Sequence, residues 1–145
     1  MNSVTQAFVL LLLSATAAVG TFYAHPRAPA LYAIEEPLRD DEITLAKIHD
    51  QWKGEVLWLD ARPSDQYAKE HIPGALLLNE QGFDNQLFEL LPPLQTNTKP
   101  VIIYCGGEAC EASRKIRTKL LESIPMDNCY VLKGGWPAWK AGKGK

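Results

Sequence analysis

Charge is missing from the beginning of this sequence. The first 24 residues contain no Asp, Glu, Lys or Arg, and the whole chain of 145 residues carries a formal net charge of only −2. So small a net charge argues against a nucleic-acid-binding module, because such modules are usually strongly basic. Hydrophobic residues make up 46% of the chain and charged residues 22%, which excludes a disordered tail and a collagen-like fibre. The length fits one domain.

Cysteine and histidine are also scarce, with three residues of each type. The cysteines, at 105, 110 and 129, lack the paired spacing that a zinc site needs, so no metal site is predicted. The chain has no internal repeat and no low-complexity segment.

The uncharged N-terminal segment is apolar from residue 7 to residue 24. At about 1.5 Å per residue, a helix of this length approaches the ~30 Å thickness of the hydrocarbon core of a bilayer. We therefore predict that residues 1–24 form a single-pass membrane anchor, and we make no prediction of the side of the membrane on which the domain lies. The alternatives are a cleaved export signal, with small residues at 15–17 as its cleavage site, and a buried core helix. Residues 25–41 contain three prolines and predict a tether, which leaves 42–145 as the globular domain.

Short apolar runs alternate with helical patterns in that domain. The runs predict strands at 56–59, 75–78, 101–105 and 129–132. Apolar residues at helical spacing predict helices over 45–52, 84–91 and 112–124, the second of which should stop at Pro92-Pro93. Because the strand runs are continuously apolar, both faces of the sheet should be covered. The pattern therefore predicts a parallel sheet in a three-layer α/β domain.

Cys105 ends one predicted strand and is followed by two glycines and then a predicted helix. Glycines allow backbone N–H groups to point at a sulfur atom, and the N-terminal end of a helix is positive. Both effects favour a thiolate by lowering the pKa below the value of about 8.5 for a free thiol. The pattern predicts a nucleophile, although a cysteine that is simply buried at a strand end would look the same.

Three separated motifs resemble those of the rhodanese-like family of sulfurtransferases. They are LDAR at 59–62 followed by HIPGA at 71–75, VIIYC at 101–105, and VLKGGWPAW at 131–139. The resemblance implies a three-layer α/β/α fold with a five-stranded parallel sheet. It also implies that Cys105 carries sulfur as a persulfide and that neither a metal nor an organic cofactor is needed.

The same resemblance assigns roles to other residues. Cys105 would take sulfur from a small-molecule or protein-borne donor and pass it to a thiol or another nucleophilic acceptor. The active-site loop would consist of Gly106, Gly107, Glu108, Ala109 and Cys110. Independently of the resemblance, position in the sequence predicts four supporting residues: Asp60 and Arg62 follow the first strand, Arg114 is the cation nearest to the loop, and Trp136 is a candidate wall of the site.

The sequence departs from the family pattern in its loop. Many members have an Arg one or five positions after the cysteine, and those positions are Gly106 and Cys110 here. Glu108 and Glu111 would also repel an anionic donor such as thiosulfate, so a neutral or protein-borne persulfide fits better. A catalytically silent protein-binding module remains an alternative. A phosphatase or arsenate reductase is a weaker one, because those enzymes need an Arg close to the cysteine.

Cys110 has two interpretations. As a resolving thiol it would attack the Cys105 persulfide, release sulfide and leave a disulfide. Alternatively, it is a small buried residue in the first helical turn.

The predicted anchor can be tested on the full-length chain carrying a C-terminal tag. We expect N-terminal sequencing of the membrane-bound protein to give the uncleaved beginning of the chain. Protease protection then shows which side of the membrane holds the domain. A new N terminus near residue 17 on a protein released from membranes would identify an export signal instead.

Overall fold

The N-terminal helix forms a compact unit by itself. The computed structural model describes residues 2–24, 37–107 and 111–142, and the chain divides into the units Met1–Pro37 and Leu38–Lys145. Helix α1 (Ser3–Ala24) is long and apolar enough over Ser3–Gly20 to cross a membrane, a test that a signal sequence also passes. Residues 25–36, which make up most of the predicted tether, lie outside the described residues.

The second unit is built on a parallel five-stranded sheet with the strand order β1-β5-β4-β2-β3. Its strands are β1 (Glu42–Ile43), β2 (Leu57–Asp60), β3 (Leu76–Leu77), β4 (Val101–Tyr104) and β5 (Cys129–Leu132). Its helices are α2 (Leu45–Trp52), α3 (Ser64–Lys69), α4 (Phe83–Gln95), α5 (Glu111–Ser123) and α6 (Gly135–Gly142). The predicted fold, an α/β/α domain with five parallel strands preceded by one apolar helix, is confirmed.

The central strand β4 explains why the strand runs are continuously apolar. Its four residues are all buried, and they alternate between two apolar layers. Val101 and Ile103 pack with residues of α4 and α5, whereas Ile102 and Tyr104 pack with residues of α2 and with the tryptophans of α6. A strand that is covered on both faces has no solvent side on which to place polar residues.

Helix α2 begins and ends where its sequence pattern predicts. The Thr44 side chain accepts a hydrogen bond from the Lys47 backbone N–H at 3.3 Å, which satisfies one N–H of the first turn. Lys53 ends the helix in the left-handed conformation at φ 54°, and its N–H donates to the His49 carbonyl. Between these ends, Ile48 is the buried residue of the helix.

Three local predictions were wrong or incomplete. Helix α4 continues through Pro92 and Pro93 to Gln95 instead of stopping before them. The two prolines are exposed and lie in the last turns, where water can satisfy the carbonyls that lose a donor, and the buried Leu94 holds this end against the core. Strand β1 and helix α3 were not predicted, because two and six residues are too few to show a periodicity.

The sheet topology places Cys105 directly after the central strand. Strand β4 lies between β2 and β5, and Asp60 pairs in register with Tyr104 at the carboxyl ends of β2 and β4. In open α/β sheets, ligands bind outside this edge of the strands. The first motif and the cysteine loop therefore meet at the edge where chemistry is expected.

Burial in the core predicts a large cost for truncating Ile103, which has no exposed surface. We expect Ile103→Ala to lower the free energy of unfolding by about 2–5 kcal/mol, because it leaves a cavity between close-packed layers. The matched control is Phe88→Ala, since that large apolar side chain is 76% exposed. It should change the free energy by no more than about 0.5 kcal/mol. Urea denaturation followed by tryptophan fluorescence measures both values, and equal effects would contradict this assignment of the core.

Candidate active site

Cys105 is buried at the carboxyl end of β4, with 6% of its surface exposed. It packs against Val131 of β5 and Ala112 of α5. Its Sγ lies 3.3 Å from the Gly107 carbonyl oxygen and donates a hydrogen bond to it. The sulfur therefore contacts the backbone of its own loop.

The backbone of Cys105 is held by the segment that begins α6. The Trp136 N–H donates to the Cys105 carbonyl oxygen at 2.7 Å. Gly135 lies against the same carbonyl at φ +50°, and a Cβ on it would clash with that oxygen and come within 3.1 Å of the Gly107 carbonyl oxygen. Only glycine satisfies both the left-handed backbone and this close approach. The third sequence motif therefore positions the cysteine loop directly.

A buried ion pair lies beside the loop. Asp60 is fully buried and Arg62 is 4% exposed. The Arg62 Nε donates to both Asp60 oxygens at 2.9 and 3.1 Å, and its Nη2 donates to Oδ2 at 2.6 Å. The same Nη2 donates to the Glu70 carbonyl at 2.7 Å. Burial opposes the charge on Arg62, but the hydrogen bonds and charge of Asp60 outweigh it and raise the pKa of the guanidinium above its usual value.

Tyr104 connects this ion pair to the central strand. Its hydroxyl donates to Asp60 Oδ2 at 2.6 Å and accepts from the Ile72 backbone N–H at 3.1 Å. Burial and the hydrogen bond to Asp60 raise the pKa of Tyr104 far above its ordinary value. The phenol therefore stays protonated and acts as a fixed donor to Asp60, in the residue that precedes Cys105 in the sequence.

Aromatic rings extend the contacts of Arg62 to α6. The Arg62 guanidinium carbon lies 4.3 Å from the Trp136 ring centroid and 5.4 Å from that of Tyr104. The Trp136 ring stacks on Tyr104 with centroids 6.1 Å apart and on Trp139 with centroids 5.3 Å apart. The stem of Arg62 also borders Gly106, since a Cβ on that glycine would lie 3.8 Å from Arg62 Cδ.

Arg114 is directed toward β1 by its described ion pairs. It pairs with Asp41 at 3.7 Å and forms a short hydrogen bond to Glu42. Burial works to raise the pKa of Glu42, but hydrogen bonds from the Arg39 backbone and from Arg114 hold that pKa below its usual value. Two carboxylates outside the cysteine loop thus balance much of the charge of Arg114.

Cys129 differs from Cys105. Cys129 is 1% exposed at the start of β5, and burial raises the pKa of its thiol to about 11, against the opposing effect of Arg117. Glu108, Ala109 and Cys110 lie outside the described residues. The predicted cradle of N–H groups and the resolving role of Cys110 therefore stay predictions.

The structure brings together three of the four supporting residues predicted from sequence. Asp60, Arg62 and Trp136 surround the residues next to Cys105. The described ion pairs of Arg114 are instead with Asp41 and Glu42, at the beginning of β1. The role of the Tyr104 hydroxyl was missed, although a tyrosine that ends a buried strand needs a partner for its hydroxyl.

Asn79 was missed altogether. It is 2% exposed, and its side chain donates to the Arg62 carbonyl and to Ser64 Oγ, each at 3.2 Å. Its Oδ1 accepts from the Gly82 N–H at 3.0 Å. These bonds tie the loop after β3 to the loop after β2, and nothing in the sequence around Asn79 indicates this role.

The described residues contain no group of three His, Cys, Asp or Glu side chains that could hold a metal ion. A pocket of about 590 Å³ opens between α2, α6 and the loop before β3, with Trp58, Ile72 and Trp139 in its wall. Its lining includes neither Cys105 nor the glycines that follow it. This pocket is therefore separate from the candidate site.

The chain is similar in sequence to known proteins. The sequence profile of the "Rhodanese-like domain" matches residues 45–142. The tRNA sulfurtransferase of Desulfurococcus amylolyticus is 31% identical over 95 residues, which are 64% of this chain. The chain spans only 17% of the length of that enzyme.

Solved structures share the fold. The crystal structure of the BH2092 protein from Bacillus halodurans has a TM-score of 0.53 at 27% identity, covering 70% of this chain and 72% of that one. The 3-mercaptopyruvate sulfurtransferase from Leishmania major has a TM-score of 0.52 at 20% identity, covering 74% of this chain and 36% of that one, a likeness of fold alone. The profile match covers more than half of the chain and contains all three motifs, so the chain belongs to the rhodanese-like domain family, which includes sulfurtransferase relatives at low identity.

Proposed function

We propose that this chain is a sulfurtransferase that carries sulfane sulfur as a persulfide on Cys105. The observation that carries the proposal is the setting of Cys105. It lies at the carboxyl end of the central strand, its carbonyl is held by the Trp136 N–H, and two glycines follow it. Neither glycine has a side chain that could cover the sulfur, and the family has sulfurtransferase members.

The reaction takes place in two substitutions at sulfur. After losing its proton, Cys105 attacks the outer sulfur of a persulfide donor R–S–SH, forms a new S–S bond and releases R–S⁻ with the electron pair of the broken S–S bond. An acceptor thiolate R′–S⁻ then attacks the outer sulfur of Cys105–S–SH, forms R′–S–SH and restores the Cys105 thiolate. Nothing is oxidised overall, and the mechanism is covalent nucleophilic catalysis with ping-pong kinetics.

Intact mass spectrometry tests the proposal directly. We expect the full chain, purified in mild detergent and incubated with a persulfide donor, to gain the mass of one sulfur atom. Cys105→Ser should abolish the gain, because it removes the nucleophile. The matched control is Cys129→Ala, which should retain the gain because Cys129 is buried and its raised pKa keeps it a neutral thiol. Loading that survives Cys105→Ser would assign the chemistry to another residue. If no donor loads the protein, the activity is absent and the protein-binding module becomes the better interpretation.

The donor that suits this site carries little negative charge. Three described cations near the carboxyl edge of the sheet are paired with carboxylates: Arg62 with Asp60, Arg114 with Glu42, and Lys140 with Glu70. The loop itself adds Glu108, and α5 begins with Glu111. These pairs and acidic residues reduce the positive charge that a dianion such as thiosulfate would meet, whereas a persulfide on a thiol or a protein needs none.

Gly106 offers a position at which to change this preference. Its φ is outside the left-handed region, and a Cβ on it would lie 3.6 Å from Gln66 Oε1, which is ordinary contact. We expect Gly106→Arg to raise the ratio of thiosulfate to persulfide loading rates by about tenfold over Gly106→Gln, because only the arginine adds charge. Loading rates from time-resolved mass spectra give the ratio. The same ratio for both variants would show that charge does not select the donor.

We also propose that α1 anchors the domain to a membrane. Support comes from its length and from the absence of charge over its 22 residues. Protease protection and N-terminal sequencing of the tagged chain distinguish an anchor from a removed signal, and they show on which side of the membrane the cysteines lie.

A further inference from the structure

We propose that Arg62 is a positioning residue for sulfur transfer, which fixes Cys105 through its two sequence neighbours and through the segment that holds its carbonyl. The inference rests on the proposed function of Cys105. It assigns to Arg62 a contribution to rate that is distinct from its ion pair with Asp60.

Arg62 contacts both sides of Cys105 in the sequence. Its guanidinium carbon lies 5.4 Å from the ring centroid of Tyr104, the residue before Cys105. Its stem borders Gly106, the residue after Cys105, because a Cβ there would lie 3.8 Å from Arg62 Cδ and 3.9 Å from Cγ. Movement of Arg62 would therefore displace the backbone on either side of the sulfur-bearing residue.

Arg62 also contacts the residue that holds the Cys105 carbonyl. Its guanidinium carbon lies 4.3 Å from the Trp136 ring centroid, and the Trp136 N–H donates to that carbonyl at 2.7 Å. Lys140 lies 5.6 Å from the same ring and pairs with Glu70, whose carbonyl accepts from Arg62. The ring and the N–H belong to the same residue, so contacts that fix the ring also restrict the backbone that makes the hydrogen bond.

The planar shape of the guanidinium is essential to these contacts. The group donates to both Asp60 oxygens and to the Glu70 carbonyl while it lies near the Trp136 ring. A lysine ammonium is a compact charge that cannot form a two-pronged pair with a carboxylate and stack on a ring at the same time. Lysine at position 62 would keep the charge and lose the geometry.

Burial excludes a direct contact between Arg62 and most of a donor molecule. The residue is only 4% exposed, and its charge is matched by Asp60. It therefore acts through Tyr104, Gly106 and Trp136, and its loss should affect the transfer step more than donor binding.

The test compares Arg62→Lys with the wild-type full chain in mild detergent, using cysteine persulfide as donor and dithiothreitol as acceptor. Rates are divided by the amount of Cys105 that the donor loads with sulfur in a single turnover of the native protein, measured by intact mass spectrometry, so that molecules unable to take up sulfur do not count. We expect kcat per titrated Cys105 to fall by about tenfold to a hundredfold, because small displacements of a reacting atom are costly. KM should change by no more than about twofold. An unchanged kcat per titrated site would overturn the inference.

Arg117→Lys is the matched control. Arg117 is half-buried, and its Nε donates to the Cys129 carbonyl at 2.7 Å, at the opposite end of β5 from Gly135. The variant makes the same chemical change at a hydrogen-bonded arginine that does not contact the residues around Cys105. It should keep kcat per titrated site within about twofold of wild type. An equal loss in both variants would show a general effect of removing an arginine and would overturn the inference.

A double variant tests the route through Trp136. Trp136→Leu keeps the backbone N–H and removes the ring, and we expect it to lower kcat per site as well. If the two residues act as one unit, Arg62→Lys with Trp136→Leu should be no slower than the slower single variant. If the two reductions in kcat instead multiply in the double variant, Arg62 does not act through Trp136. If Arg62→Lys does not fold, Trp136→Leu alone decides, because a normal kcat in that variant contradicts the inference. Failure of the wild-type protein to load sulfur would instead reject the proposed function.

Discussion

The fully buried carboxylate of Asp60 is the constraint on which the candidate site depends. Burying a charged carboxylate away from water costs much free energy unless hydrogen-bond donors surround it. Here the donors are the Arg62 side chain, its backbone N–H at 2.9 Å, and the Tyr104 hydroxyl. Because these groups come from the ends of two paired strands, satisfying one charge aligns β2 with β4. The residue after Tyr104 is Cys105, so the electrostatic requirement of the fold and the position of the proposed nucleophile are linked.

Three stretches that are far apart in the sequence meet at this point for different physical reasons. The first supplies the buried ion pair, the second supplies the strand end, and the third supplies Gly135 and Trp136. Gly135 allows α6 to begin against the Cys105 carbonyl, and Trp136 provides the N–H that binds it. Any side chain at Gly135 would separate the two segments.

The strands and the position of Cys105 could be predicted because they depend on local patterns. Continuous apolar runs reveal strands buried on both faces, and glycines after a strand reveal a tight loop. Asn79 could not be predicted, since its role arises from bonds to residues 15 and 17 positions away along the chain. The end of α4 was misjudged because burial of Leu94 stabilises the last turn more than Pro92 and Pro93 disrupt it. Tertiary contacts decided the role of Asn79 and the end of α4, and no local pattern reports such contacts.

The uneven distribution of charge along the sequence corresponds to ion pairs between distant parts of the chain in the fold. Residues 27–111 have 7 basic and 15 acidic side chains, whereas 114–145 have 8 basic and 2 acidic ones. Ion pairs join these two parts: Arg114 to Asp41 and Glu42, Lys115 to Glu80, and Lys140 to Glu70. The basic C-terminal segment 114–145 therefore forms internal ion pairs and offers less attraction to an incoming anion. A site with these electrostatics suits a reaction in which one S–S bond replaces another, because such an exchange between thiols and persulfides requires no stabilisation of a dianion.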